Sequence, residues 1–315
     1  MALLRQTAGL TLAAALAIVL AGSGMHTAAR RGAPPRAVGE DVFAEFPLVP
    51  APLRPAGDAV LAGAGDIGAC GRAEPAATAA LLDTIDAIVF TLGDNAYPRG
   101  SARDFAACYE PTWGRHRART RPAPGNHEYE TAGAAAYFDY YGANAGPHGL
   151  GYYSYTAGSW LVLSLNSNAP ASPGSPQFEW LRSRLSAAPR CTLAYWHHPL
   201  FSSGPTNDAG QMRDVWRLLT SAHAEIVLSG HDHLYERFAA QDADGRFQPV
   251  HGLRQFTVGT GGSRLYAVRT IAPNSELRAP EHGVLKLTLK GDGYEWEFLP
   301  IAADGARDYG TGACH

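Results

Sequence analysis

The segment Asp86-Ala-Ile-Val-Phe-Thr-Leu-Gly-Asp-Asn-Ala-Tyr97 holds the key to the chain. Its first seven residues form a short apolar run of the kind found in strands buried on both faces of a sheet. The run stops at Gly93, and a carboxylate, an amide and a phenol follow as Asp94, Asn95 and Tyr97. A glycine turn that releases polar side chains just past a strand is how open α/β sheets build ligand sites at their carboxyl edge.

Outward from this segment the arrangement recurs. Ala59 to Ala64 reads as a strand and runs into Gly65-Asp66-Ile67-Gly68. The strand Cys191 to Trp196 leads to His197-His198-Pro199, and Glu225 to Leu228 leads to Gly230-His231-Asp232-His233. Gly125-Asn126-His127-Glu128 follows Pro124. Between these, Pro75–Ile85, Ser101–Cys108, Ala132–Tyr141, Ser175–Ala187 and Asp208–Ser221 have helical patterning, with Ser101 as a cap and Pro75 in a first turn. Tyr152–Tyr155 and Trp160–Leu165 read as an antiparallel pair, and Gln255–Val258, Val284–Leu289 and Tyr294–Leu299 as further strands. Alternating strands and helices followed by a β-rich tail predict an α/β fold with mixed sheets.

The 315 residues carry 26 Lys and Arg against 29 Asp and Glu, and 46% of them are hydrophobic. That apolar share builds a core and excludes intrinsic disorder, and the near-neutral balance argues against nucleic-acid binding. Arg5 is the one charge before Arg30, and Leu10 to Ala21 is apolar apart from Thr11. The run is too short for a membrane span and fits a signal peptide over residues 1–29. Residues 30–57 read as a linker rich in proline (Pro34, Pro35, Pro47, Pro50, Pro52 and Pro55), leaving 58–315 as one domain. The expected mature protein is secreted or extracytoplasmic and free of the membrane. Its four cysteines then predict two disulfides. Of three pairings, Cys70–Cys108 with Cys191–Cys314 is favoured, because the first two fall on neighbouring βα loops.

Five polar clusters at strand ends supply Asp, Asn and His and no thiolate. That donor set suits Fe, Zn, Mn or Co. It is large enough for two ions sharing a carboxylate, a pair that clamps in-line displacement at phosphorus.

The clusters resemble the calcineurin-like metallophosphoesterase superfamily, and within it the purple acid phosphatase branch. That branch reads D-x-G, G-D-x-x-Y, G-N-H-[DE], V-x-x-H and G-H-x-H. Here the blocks are Asp66-Ile67-Gly68, Gly93-Asp94-Asn95-Ala96-Tyr97, Gly125-Asn126-His127-Glu128, Ala194-Tyr195-Trp196-His197 and Gly230-His231-Asp232-His233. The resemblance implies two mixed β-sheets packed together and flanked by helices, a four-layer sandwich. It implies an acid phosphatase that hydrolyses small phosphate monoesters, with a phosphodiesterase, or a non-catalytic metal- or phosphate-binding protein, as alternatives. Most of the superfamily has His where Gly68 stands, whereas Tyr97 stands where the purple branch places a tyrosinate. Two carboxylates, a tyrosinate and a hydroxide leave a trivalent–divalent pair with the same residual charge as two divalent ions held without the tyrosinate.

By the same resemblance Asp66, Asp94, Tyr97 and His233 hold Fe(III). Asp94 bridges, and Asn126, His197 and His231 complete a second site for Fe(II), Zn or Mn. Ala194 replaces the usual Val, and His198 beside His197 leaves either as a ligand; the H-x-P spacing to Pro199 favours His197. His127 is the expected phosphate contact and proton donor, with His198 as a second donor lining the pocket. Glu128 and Asp232 are read as supporting residues. Gly259-Thr260-Gly261-Gly262 is either an anion cradle or a tight turn. His116, His148, His223, His251 and His282 are assigned to surface or packing, and Trp113 and Trp180 to the core. The short stretch before Ala59 leaves no room for the additional β-sandwich domain of the plant members. Oligomeric state is left open.

Overall fold

The computed structural model describes residues 57–205, 210–268 and 270–315. The expected signal peptide and all but the last residue of the linker lie outside these. Thirteen strands follow one another among the described residues: β1 (Ala59–Ala64), β2 (Ile88–Leu92), β3 (Thr120–Ala123), β4 (Tyr153–Ala157), β5 (Trp160–Ser164), β6 (Thr192–Tyr195), β7 (Ile226–Ser229), β8 (Tyr235–Phe238), β9 (Arg254–Val258), β10 (Ser275–Ala279), β11 (Gly283–Leu289), β12 (Gly293–Pro300) and β13 (Asp308–Ala313). They form two mixed sheets, ordered β13-β12-β11-β1-β2-β3 and β10-β8-β9-β7-β6-β5-β4. In the first, β1, β2 and β3 run parallel and β11 joins β1 antiparallel. In the second, β5, β6, β7 and β9 run parallel. All the strands expected from the sequence form, with β4 and β5 antiparallel.

Four strands lack a sequence signal. Of these, β3, β10 and β13 are sheet edges with sequences Thr-Arg-Pro-Ala, Ser-Glu-Leu-Arg-Ala and Asp-Tyr-Gly-Thr-Gly-Ala. Edge strands carry the charge, proline and glycine that suppress an apolar pattern. The fourth, Tyr235-Glu-Arg-Phe in β8, is held by a side chain far along the chain. Buried Asp308 accepts from Tyr235 Oη at 2.7 Å, Arg237 Nε at 2.7 Å and Trp296 Nε1 at 3.2 Å, tying the two sheets together.

Side chains alternate across the second sheet with period two. Trp160, Val162, Leu193, Tyr195, Ile226 and Leu228 face the first sheet in the main core. Leu161, Leu163, Ala194, Trp196 and Val227 face outward into a second core. The helices Pro176–Leu185 and Arg213–Ser221 cover that outer face through Phe178, Leu181, Trp216 and Leu219. Ser175 caps the first of them by accepting from Phe178 N. The expected helix over 132–141 starts at Ala135, because Gly133 and Ala134 take positive φ and break the first turn. The start expected at Asp208 lies outside the described residues, and an ordinary helix begins at Arg213. Trp113 and Trp180 are buried. Disulfides join Cys70 to Cys108 and Cys191 to Cys314, the favoured pairing. No described helix is long and apolar enough to cross a membrane.

Candidate metal centre

The carboxyl ends of β1, β2, β3, β6 and β7 meet along one edge, and their five loops deliver the polar clusters. Glycine makes this approach possible. A Cβ on Gly125 would lie 2.1 Å from Asp94 Oδ1, and one on Gly93 2.6 Å from His197 Nδ1. Of the six non-glycine residues with positive φ among the described residues, three are Asp66, Asp94 and His231.

Asp66 is fully buried. Its Oδ2 accepts from the backbone of His231 at 2.8 Å, and its Oδ1 lies 3.0 Å from Tyr97 Oη and 3.2 Å from His233 Nε2. Asp94 Oδ1 accepts from His127 N at 2.9 Å. Its Oδ2 faces both halves of the cluster, 3.2 Å from Tyr97 Oη and 3.3 Å from His197 Nε2. Asn126 Oδ1 stands 3.0 Å from the same His197 nitrogen, and His231 Nδ1 stands 3.2 Å from it. All seven residues expected as ligands therefore converge.

Backbone carbonyls fix how the imidazoles point. His197 Nδ1 donates to Leu92 O at 2.7 Å, and His233 Nδ1 donates to Arg264 O at 2.7 Å. Each ring thus turns an unprotonated Nε2 into the cluster. For His197 that nitrogen meets a carboxylate oxygen, an amide oxygen and another imidazole nitrogen. For Tyr97, one phenolic proton serves three acceptors, with His233 Nε2 at 3.1 Å as the third. Lone pairs facing lone pairs in a buried site call for cations between them. Without a cation, protons take that place: burial pushes the His197 pKa down, but the Asp94 carboxylate more than reverses this, to about 9. Burial and the carboxylates of Asp66 and Asp94 push the Tyr97 phenol well above its usual value. All four cysteines are in disulfides, so the donor set is N and O throughout.

His198 sits beside this cluster, its ring 4.4 Å from that of His231. Ser167 Oγ accepts from His198 N at 3.1 Å and lies 2.8 Å from Nδ1. The hydroxyl then donates to Nδ1 and leaves the proton on Nε2. Burial and the neighbouring His197 and His231 hold its pKa well down, which favours the neutral ring. His127 packs its ring 4.6 Å from Tyr97 at the rim, and its Nδ1 faces the Pro98 carbonyl.

Supporting groups complete the site, and two of them, Ser167 and Tyr266, lie outside the five clusters. Ser167 lies in Asn166-Ser167-Asn168, a polar triplet after β5, so the strand-end pattern applies to it as well. Tyr266 stacks on His233 at 4.1 Å and 10°, and nothing local marks it. Glu128 proves central. Its buried carboxylate accepts from Gly125 N at 2.7 Å, Asn95 N at 2.8 Å and Asp94 N at 3.0 Å, locking two loops together. The Gly259–Gly262 stretch is a packing strap: Gly261 N donates to Gly65 O, and Ser263 N to Asp66 O.

A family model described as calcineurin-like phosphoesterase matches residues 60–235. The chain belongs to this family. Within the calcineurin-like phosphoesterases its similarity runs to the purple acid phosphatase branch. It is 28% identical over 267 residues to purple acid phosphatase 22 of Arabidopsis thaliana, covering 74% of this chain and 58% of that protein. It is 27% identical over 215 residues to purple acid phosphatase 15 of the same plant, covering 56% and 40%. The chain thus spans only part of the length of the relatives it matches. A purple acid phosphatase from yellow lupin seeds has the same fold, with a TM-score of 0.65 at 19% identity over 82% of this chain and 54% of the other. Among the described residues, Asp66, Asp94 and His197, and likewise His197, His198 and His231, bring donor atoms within 4.8 Å of one another, and these carboxylate and imidazole donors fit the metal site that the family implies.

Proposed function

We propose that this phosphoesterase is an exported acid phosphatase that hydrolyses small phosphate monoesters. In this reading Asp66, Asp94, Tyr97 and His233 hold Fe(III). Asp94 with Asn126, His197 and His231 holds a divalent ion, Fe(II), Zn or Mn. The observation that carries it is half-buried Tyr97, whose phenol oxygen faces two carboxylates and an imidazole at 3.0–3.2 Å. Without a cation the neutral phenol donates to these carboxylates; beside a trivalent ion, a tyrosinate with the same carboxylates is the anionic set that ion needs. Such a metal pair supplies Lewis acidity and a nucleophile at acid pH.

The chain's own groups do the rest. His127 reaches the rim from a backbone pinned to Asp94 and donates to the phosphoryl group or to the departing alkoxide. His198, kept neutral and oriented by Ser167, donates its Nε2 proton as a hydrogen bond to a phosphoryl oxygen. Glu128 holds the Asp94 and Asn126 loops in register. The disulfides favour export.

The test is a visible absorption spectrum with metal analysis of the same purified sample. A broad band with iron bound, lost in Tyr97→Phe, is the expected result. A colourless protein with two divalent ions would overturn Fe(III) and the acid optimum. Paired monoester and diester substrates then decide the ester class, a faster diester reaction overturning the monoester reading.

A further inference from the structure

We propose that His223, His251 and His315 form a second, separate site for a divalent cation of the Zn2+, Ni2+ and Cu2+ class. The argument begins with topology. The strands β6, β7 and β9 are parallel neighbours, so their amino ends lie together at the edge opposite the metal centre. His223 occupies the turn into β7, and His251 the approach to β9. His315 follows Cys314, which the disulfide to Cys191 anchors at the start of β6. Three histidines far apart in sequence thus meet at one place.

The ring centroids are 5.3 Å apart for His223 and His251, 5.6 Å for His251 and His315, and 6.2 Å for His223 and His315. Three imidazoles bound tetrahedrally, each nitrogen about 2.0–2.1 Å from an ion, place their centroids roughly 5 Å apart. Closing the trio on an ion shortens the centroid spacings by about 1 Å at most and turns the rings so that their nitrogens converge. His223 and His251 are exposed and free to rotate that far. Among the described residues, three donors already mutually within 4.8 Å occur only at the catalytic centre, so here rotation is part of binding.

Two further observations single the trio out from ordinary surface histidines. His315 Nε2 is shielded from solvent and makes no hydrogen bond of ordinary geometry, although the His251 backbone lies against its ring. A buried, unsatisfied imidazole nitrogen carries a desolvation cost that a metal bond removes. On the other side of the ring, Nδ1 lies 3.9 Å from Glu225 Oε1. Glu225 is itself fixed, accepting from Thr192 N at 2.7 Å and His315 N at 3.3 Å. At that distance Glu225 does not hydrogen-bond the ring, but it places a carboxylate beside it that favours a bound cation. His223 sits just past the helix Arg213–Ser221 and closes it with a positive φ of 56°, its N donating to Thr220 O and Ala224 N to Leu219 O, which fixes the backbone that presents its ring. Nitrogen donors alone select borderline ions over Mg2+ or Ca2+.

The test uses the full chain with its catalytic centre filled, titrated with Zn2+ in metal-buffered solution. Metal analysis should find one more Zn2+ per wild-type chain than per chain of the His223→Ala/His251→Ala double variant. His251→Ala alone should raise the Kd of that ion at least about 10-fold. Co2+ as a probe should give tetrahedral visible bands in a wild-type-minus-double-variant difference spectrum. Phosphatase turnover should be equal in wild type and variants, which separates this site from the catalytic one. Because His223 and His251 are exposed, the variants fold, and equal melting temperatures in chelator verify it. Equal Zn2+ stoichiometry and Kd in wild type and double variant would overturn the proposal.

Discussion

Glu128→Gln isolates the residue that organises the centre without touching a substrate. The Glu128 carboxylate serves Gly125 N and Asp94 N with one oxygen, and Asn95 N at 2.8 Å and Ala96 N at 3.4 Å with the other. Glutamine keeps one oxygen and replaces the second with a donor. In the better of its two orientations the oxygen stays with Gly125 and Asp94. The amide NH2 then faces the N–H groups of Asn95 and Ala96. A buried donor left without a partner costs about 1–3 kcal/mol, so two cost about 2–6 kcal/mol. Burial and the Asp94 charge hold the Glu128 pKa up, so removing a costly buried charge returns part of this. The expected net loss is about 2–4 kcal/mol, read by urea denaturation of chelator-treated protein. The loops carrying Asp94 and Asn126 lose their common tether, so metal affinity should also fall about 10- to 100-fold. Wild-type stability together with wild-type metal affinity in Glu128→Gln would refute the reasoning, because the tether would then be dispensable.

Gly125→Ala places a Cβ 2.1 Å from Asp94 Oδ1, so Asp94 must shift. Turnover should drop at least about 100-fold, measured at saturating metal, while far-ultraviolet circular dichroism stays unchanged. Replacing Cys191 and Cys314 together by serine opens a bridge spanning 123 residues, and denaturant melts should show a loss of about 4–5 kcal/mol. His116 donates Nε2–H to Ala79 O at 3.1 Å and accepts from Arg119 Nη2 at Nδ1 at 3.0 Å, an arrangement that requires the neutral ring. Burial and the flanking arginines hold its folded pKa below the usual 6.5. The stability it provides is therefore present above pH 6.5 and lost as pH falls toward the folded value. His116→Gln should weaken the fall in stability between pH 7 and pH 5 in urea melts.

The site was more legible in the sequence than its frame. Asp66, Asp94, Asn126, His197 and His231 stand where strands end, and a glycine turn beside an apolar run is a local signal. The same rule reaches Ser167 after β5. The inward placement of His197 is also within reach of the sequence, through parity. In β6, Leu193 and Tyr195 face the first sheet while Ala194 and Trp196 face away. The alternation carries His197 inward to the Leu92 carbonyl. What stayed hidden depends on contacts distant in sequence. The edge strand β3 is fixed by Pro122, whose carbonyl accepts from Tyr137, Tyr153 and Ser164. β8 is fixed by Asp308, and the stacking of Tyr266 on His233 exists only once both loops are in place. No window of neighbouring residues contains those partners.

The left-handed backbones of Asp66, Asp94 and His231 follow from the same demand for convergence. Each such residue costs about 1–2 kcal/mol, or about 3–6 kcal/mol for the three. An isolated loop would relax. Here the loops are bonded to one another: Asp66 N donates to Gly93 O, Ile67 N to Asp94 O, Gly68 N to Asn95 O and Gly230 N to His197 O, at 2.9–3.0 Å. Any one of them can leave the left-handed region only by breaking bonds in its neighbour, so the cost is spread over the assembly. The gain is directional. A positive φ turns the Asp66 carboxylate back across the end of its own sheet to His231 N at the end of the other. Backbone strain therefore sits where two sheets must offer donors to one point, and the glycines beside it sit where a Cβ would keep them apart.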